Sequence, residues 1–137
     1  MFTRIVVPVD LTHADKLKKA LAVAADLARH HDIPVVYLGV TGTLPDAVAP
    51  TPEAFGEKLA AFAAAEAEAH GIAASAHPVV DPDPAAALSR VVRRAVEDLG
   101  ADLVVMASHA PSAMDWLIPS QGGSVAEHSG ASVFIVR

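Results

Sequence analysis

Leu103-Val104-Val105-Met106-Ala107, with the segment that follows it as far as Ser124, decides how this chain is read. The apolar run reads as a strand buried on both faces, the pattern of a central parallel strand. It ends in small residues and passes into a polar segment, Ser108 to Gly123, that carries Gly and Pro. A short helix ending near His128-Ser129-Gly130 and a last strand, Ser132 to Val136, are expected after it. In an open α/β sheet, a strand that runs out into such a loop is where a ligand is held.

The rest of the chain repeats the same unit. Arg4-Ile5-Val6-Val7-Pro8-Val9 is a second apolar run, with Asp10 just past its carboxyl end. Pro8 has no amide to give a neighbouring strand. Thr12 is placed to cap the helix that follows, whose apolar positions Leu17, Leu21, Ala24, Ala25 and Ala28 recur at helical spacing. Pro34 to Val40 is another buried strand, and Thr41 to Pro50 a linker. Thr51-Pro52-Glu53 and Asp83-Pro84 each combine a capping side chain with a proline in the first helical position, and Gly71 and Gly100 are the matching stops. Between those helices, Ile72 to Val80 is a weaker strand. Pro78 inside it assigns it to an edge of the sheet.

The order β-α-β-α-β-α-β-α-β implies a single domain over residues 1–137, with a five-stranded parallel sheet and helices on both faces. Of the residues, 53% are hydrophobic, but much of this is Ala, and no run approaches the roughly 18 residues of a spanning helix. Met1-Phe2-Thr3-Arg4 leads straight into a strand and reads as no signal peptide, so a cytoplasmic location is expected. The chain has no Cys, which excludes thiolate chemistry, and its net charge of −6 argues against nucleic acid as a partner.

Three segments in order now carry a resemblance. Ile5-Val6-Val7-Pro8-Val9-Asp10, Gly100-Ala101-Asp102-Leu103-Val104-Val105-Met106-Ala107-Ser108-His109, and His128-Ser129-Gly130 through Arg137 are similar to the opening strand, the fourth strand with its loop, and the closing strand of the universal stress protein family. The resemblance implies an adenine nucleotide alpha hydrolase-like fold with strand order 3-2-1-4-5. It also implies a site for ATP or another adenine nucleotide between strands 1 and 4. Pro8, Val9, Asp10, Val40, Ala107, Ser108, His109, Ser120, Gly122, Gly123 and Ser124 are the candidate site residues. Asp10 would take a ribose hydroxyl or an adenine amine, or simply cap the first helix. Val40 would touch a base, or simply pack in the core.

The family's ATP-binding members carry Gly-x2-Gly-x9-Gly-Ser/Thr here, because glycines let backbone amides approach phosphates. This chain departs from that pattern. Ala107 and Ala110 occupy the first two glycine places. The third falls on Gly123-Ser124 in one register and on Pro119-Ser120 in another, which keeps the match from Ser124 to Arg137 ungapped and is preferred. The alternative to a nucleotide-binding regulator is therefore a dimeric stress protein that acts through protein contacts. An enzyme ranks last, at most a slow nucleotide hydrolase. Ser108, His109 and Asp115 lack the strand-turn-helix elbow of a serine hydrolase. His30 and His31 are adjacent on a helix and point apart, so no metal is expected. The lone Trp116 reads as a lid on the sheet's end or on a neighbouring chain. The apolar last strand, Ser132, Val133, Phe134, Ile135 and Val136, needs cover at the sheet's edge, and a homodimer through it is expected.

Overall fold

The computed structural model describes residues 1–107 and 118–137, with the backbone alone described at 85 and 118–122. The strands are β1 (Ile5–Pro8), β2 (Val35–Thr41), β3 (Ala74–Val80), β4 (Leu103–Ala107) and β5 (Ser132–Val136). The helices are α1 (Lys18–His31), α2 (Pro52–His70), α3 (Pro84–Leu99) and α4 (Ile118–His128). All pairings are parallel, in the order β3-β2-β1-β4-β5, as the sequence implies.

The side chains of the three inner strands alternate between two cores. Ile5, Val7, Val35, Tyr37, Leu103 and Val105 pack under α1 and α2. Val6, Val36, Leu38, Val104 and Met106 pack under α3 and α4. Both faces are covered, which is why these strands read as continuous apolar runs rather than alternating ones. Full burial of Leu59 or Val92 contributes about 2 kcal/mol each. At Gly39, α2 packs close against the sheet. A β-carbon there would stand 2.8 Å from Phe55 Cζ and 3.0 Å from Leu59 Cδ2.

The helix ends follow local chemistry. Thr51 Oγ1 accepts from the Ala54 amide at 3.1 Å, and Asp83 Oδ1 from the Ala86 amide at 3.3 Å. Gly71 and Gly100 close α2 and α3 in the left-handed region, at φ 63° and 62°. The start of the first helix differs from expectation. Leu11–Leu17 is a 3-10 segment, and its cap is Asp10, not Thr12. Thr12 is instead the donor, through its amide to Asp10 Oδ1 at 2.9 Å. Asp10 sits two residues past the strand, where its short carboxylate reaches the amide two residues on.

Pro78 is placed where its missing hydrogen costs nothing. Val35 donates to the Ala73 carbonyl and Asp81 to the Thr41 carbonyl. With the two-residue repeat, the odd-numbered amides of β3 face β2, and residue 78 faces outward. The proline thus blunts the free edge.

At the opposite end of the sheet from the strand tips, Asp102 ties β4 to the chain before β1. Its carboxylate accepts from the Thr3 amide at 2.9 and 3.0 Å, the Arg4 amide at 3.2 Å and the Thr3 hydroxyl at 3.2 Å. Burial alone would raise its pKa, but these donors outweigh that and hold it below the ordinary carboxylate range. A lowered pKa stabilises the fold above the unfolded-state value, and the contribution fades as pH falls through the folded-state value. Asp102→Asn should therefore cost about 1 kcal/mol at neutral pH in urea unfolding. The difference from the unsubstituted protein should shrink toward zero in strong acid. A pH-independent difference would assign the cost to something other than the charge.

Candidate functional site

The ladder between β1 and β4 ends before those on either side of it. β1 pairs with β2 as far as Pro8 with Leu38, and β4 pairs with β5 as far as Ala107 with Val136. The β1–β4 pairing stops earlier, at Val6 with Val104. The cause lies in Pro8. The amides of Ile5 and Val9 donate to the β2 side, to the carbonyls of Pro34 at 3.0 Å and Leu38 at 2.8 Å. By the two-residue repeat, the amides of residues 6 and 8 face β4. Residue 8 has none to offer the Val105 carbonyl. The ladder ends there, at the topological switch point of the sheet, where open α/β folds hold ligands.

Asp10 follows the carboxyl end of β1. Its Oδ1 takes the Thr12 amide, and its Oδ2 lies 3.0 Å from His13 Nδ1. Both side chains are 27% exposed. The capping role is thus filled, and the carboxylate still faces solvent. Val9 is buried at the same end of β1, and Ala107, the last residue of β4, is half-buried against the α1 and α2 core. Val40 lies on β2 beyond the end of β1, opposite Val79, and packs against the α3 and α4 core. Pro8, Val9 and Asp10 therefore stand at the carboxyl end of β1 and Ala107 at that of the neighbouring β4, with Val40 on the β2 side.

The other candidates come from the segment after β4. Ser108 and His109 lie outside the described residues, as do Ala110, Asp115 and Trp116. The expected loop as far as Gly123 is corrected by α4, which begins at Ile118. Ser120, Gly122, Gly123 and Ser124 are helical residues. Only the first-turn amides of a helix are free for a ligand, and those of Gly122, Gly123 and Ser124 lie past it. Pro119, in that first turn, has no amide. A β-carbon on Gly123 would meet nothing within 4 Å, so close packing among the described atoms does not require the glycine. Ser124 Oγ bonds across to Ser89 Oγ of α3 at 2.9 Å, which ties the two helices together.

Asp81 and His13 were not among the residues singled out from sequence. Asp81 follows β3 at the edge of the sheet. It accepts from Arg90 at 2.8 Å and from the Asp83 amide at 3.0 Å. The Arg90 guanidinium, foremost, and then the Asp83 amide hold its pKa below the usual range. A groove of about 300 Å3 lies alongside, between β3 and α3. Its charges are spent internally, Arg90 on Asp81 and Arg94 on Asp98, so it offers no net charge to a ligand. Among the described residues, no group of three or more His, Asp or Glu is placed to hold a metal ion, and no helix is long and apolar enough to cross a membrane.

A parallel sheet ordered 3-2-1-4-5 with helices on both faces defines a doubly wound α/β fold. The profile of the universal stress protein family matches residues 1–137, and the chain belongs to that family. A universal stress protein from Archaeoglobus fulgidus superposes with a TM-score of 0.69 at 19% identity, covering 100% of both chains. The Archaeoglobus fulgidus protein in complex with dAMP gives 0.69 at 18% identity over 98% of each chain. A family protein from Arabidopsis thaliana with AMP bound gives 0.65 at 15% identity, over 98% of this chain and 90% of that one. At these identities the likeness is one of fold. No curated protein matches the sequence.

Proposed function

We propose that this chain is a cytoplasmic stress-response regulator that binds an adenine nucleotide, ATP or AMP, in the opening between β1 and β4. The observation that carries the reading is the early end of the β1–β4 ladder beside a part-exposed carboxylate. An ionised carboxylate accepts hydrogen bonds only, so it suits the hydroxyls of a ribose or the amine of adenine. Structural relatives of the same fold, with dAMP or AMP bound, support the choice of ligand. The chain's own departures bear on the phosphates. Pro119 withholds one first-turn amide of α4, and the amides of Gly122 and Gly123 lie past that turn. AMP should therefore bind at least as tightly as ATP.

Titration calorimetry tests this directly. Asp10→Asn keeps an oxygen for the Thr12 amide but loses the charge, and should weaken AMP binding by about 10-fold or more. The absence of heat with either nucleotide at millimolar concentration would set the reading aside in favour of a protein that acts through contacts alone.

We also propose a homodimer through β5. Phe134 and Ile135 are 45% and 39% exposed on this outer strand. The Ser132 amide donates inward to the Asp102 carbonyl, so the amides of Val133 and Ile135 face outward, unpaired by the sheet. Antiparallel pairing with a second copy would satisfy them and cover both side chains. Sedimentation should find a dimer at micromolar concentration and a folded monomer for Phe134→Glu. A monomeric unsubstituted protein would overturn the proposal.

A further inference from the structure

We infer that His13 is the positioning residue of the crevice, which holds the Asp10 carboxylate in the orientation a ligand meets. The inference rests on the nucleotide reading above for its consequence, though not for its geometry.

The backbone makes the contact. The 3-10 segment Leu11–Leu17 is broken at His13, which has φ −125° and ψ 32°. The break comes three residues after Asp10 and turns the imidazole back over it. His13 then grips Asp10 twice. Its amide donates to the Asp10 carbonyl at 3.0 Å, and its ring nitrogen Nδ1 lies 3.0 Å from Oδ2. An ionised carboxylate can only accept, so Nδ1 carries the hydrogen. The Thr12 amide holds the other oxygen at 2.9 Å. With both oxygens fixed by separate donors, the carboxyl group cannot rotate without breaking one of them.

This arrangement has a chemical consequence. A carboxylate has about four acceptor positions, and among the described residues the Thr12 amide and the His13 ring use two of them. The remaining lone pairs, one on each oxygen, are available to a ligand that brings paired hydrogen-bond donors. Without the ring, Oδ2 loses its anchor, and the carboxylate must be ordered at the expense of binding. Pre-positioning of this kind raises affinity without any contact between His13 and the ligand.

Two variants separate the donor from the bulk of the ring. Asparagine at 13 can place an N–H close to where Nδ1 sits, whereas alanine cannot. The Thr12 amide reports on the carboxylate without any ligand, by hydrogen exchange in NMR. In His13→Ala its exchange should quicken by about 10-fold, and in His13→Asn it should return close to the original rate. The Leu59 amide in α2 serves as the control for general loosening. AMP affinity by calorimetry should follow the same order, about 10-fold weaker for alanine and largely recovered for asparagine. Unchanged Thr12 exchange in His13→Ala would overturn the inference, as would alanine and asparagine variants that behave alike. If the unsubstituted protein takes up no nucleotide, the proposed function fails, while the Thr12 amide still decides whether His13 holds Asp10.

Discussion

One absent hydrogen bond shapes the functional end of this molecule. β1 and β4 are an inner pair of the sheet, and their ladder runs only as far as Val6 and Val104. The pairings on either side, β1 with β2 and β4 with β5, continue to the strand tips. The residue that would continue the central ladder is Pro8, whose nitrogen faces β4 and carries no hydrogen. On the outward side of an edge strand a proline is harmless, as Pro78 is in β3. At position 8 it opens the switch point, the one place where a gap becomes a crevice.

Asp10 joins structure to function at that gap. As a cap it starts the 3-10 segment through the Thr12 amide, and as a carboxylate it remains partly exposed. The two roles do not compete, because capping uses one lone pair of one oxygen. The segment it starts then bends at His13 and returns the imidazole to the second oxygen. The same short stretch therefore ends the strand, opens the sheet and fixes the acid beside the opening. The first turn of α4 is less generous than a glycine-rich phosphate loop. It has a proline in its first turn, and its paired glycines lie inside the helix.

Much of the fold was legible because burial on both faces leaves a plain trace. The apolar runs at Ile5, Val35 and Leu103 are the inner strands, and the edge position of β3 followed from Pro78. Caps and stops at Thr51, Asp83, Gly71 and Gly100 stand where their chemistry put them. The start of α4 was not legible. Gly122 and Gly123 have low helix propensity, and tertiary packing of Val125 against α3 and the Ser89–Ser124 bond outweigh it. The Asp102 clasp and the His13–Asp10 contact were also hidden. One spans 99 residues, and the other depends on a local break in φ and ψ that no periodicity encodes. Of the candidate site residues, Pro8, Val9 and Asp10 stand at the carboxyl end of β1 and Ala107 at that of β4, with Val40 on the β2 side. Ser120, Gly122, Gly123 and Ser124 belong to a helix rather than a loop. Ser108 and His109 lie outside the described residues.

The most direct measurement is hydrogen exchange at residue 8 in the Pro8→Val variant, read by NMR. Valine restores the missing amide without changing the apolar character of the strand. If Pro8 is what ends the central ladder, the new amide will bond to the Val105 carbonyl and be protected like its neighbour Val6. An amide at residue 8 that exchanges as freely as an open one would show that the strands part for another reason, and would contradict this account of the crevice.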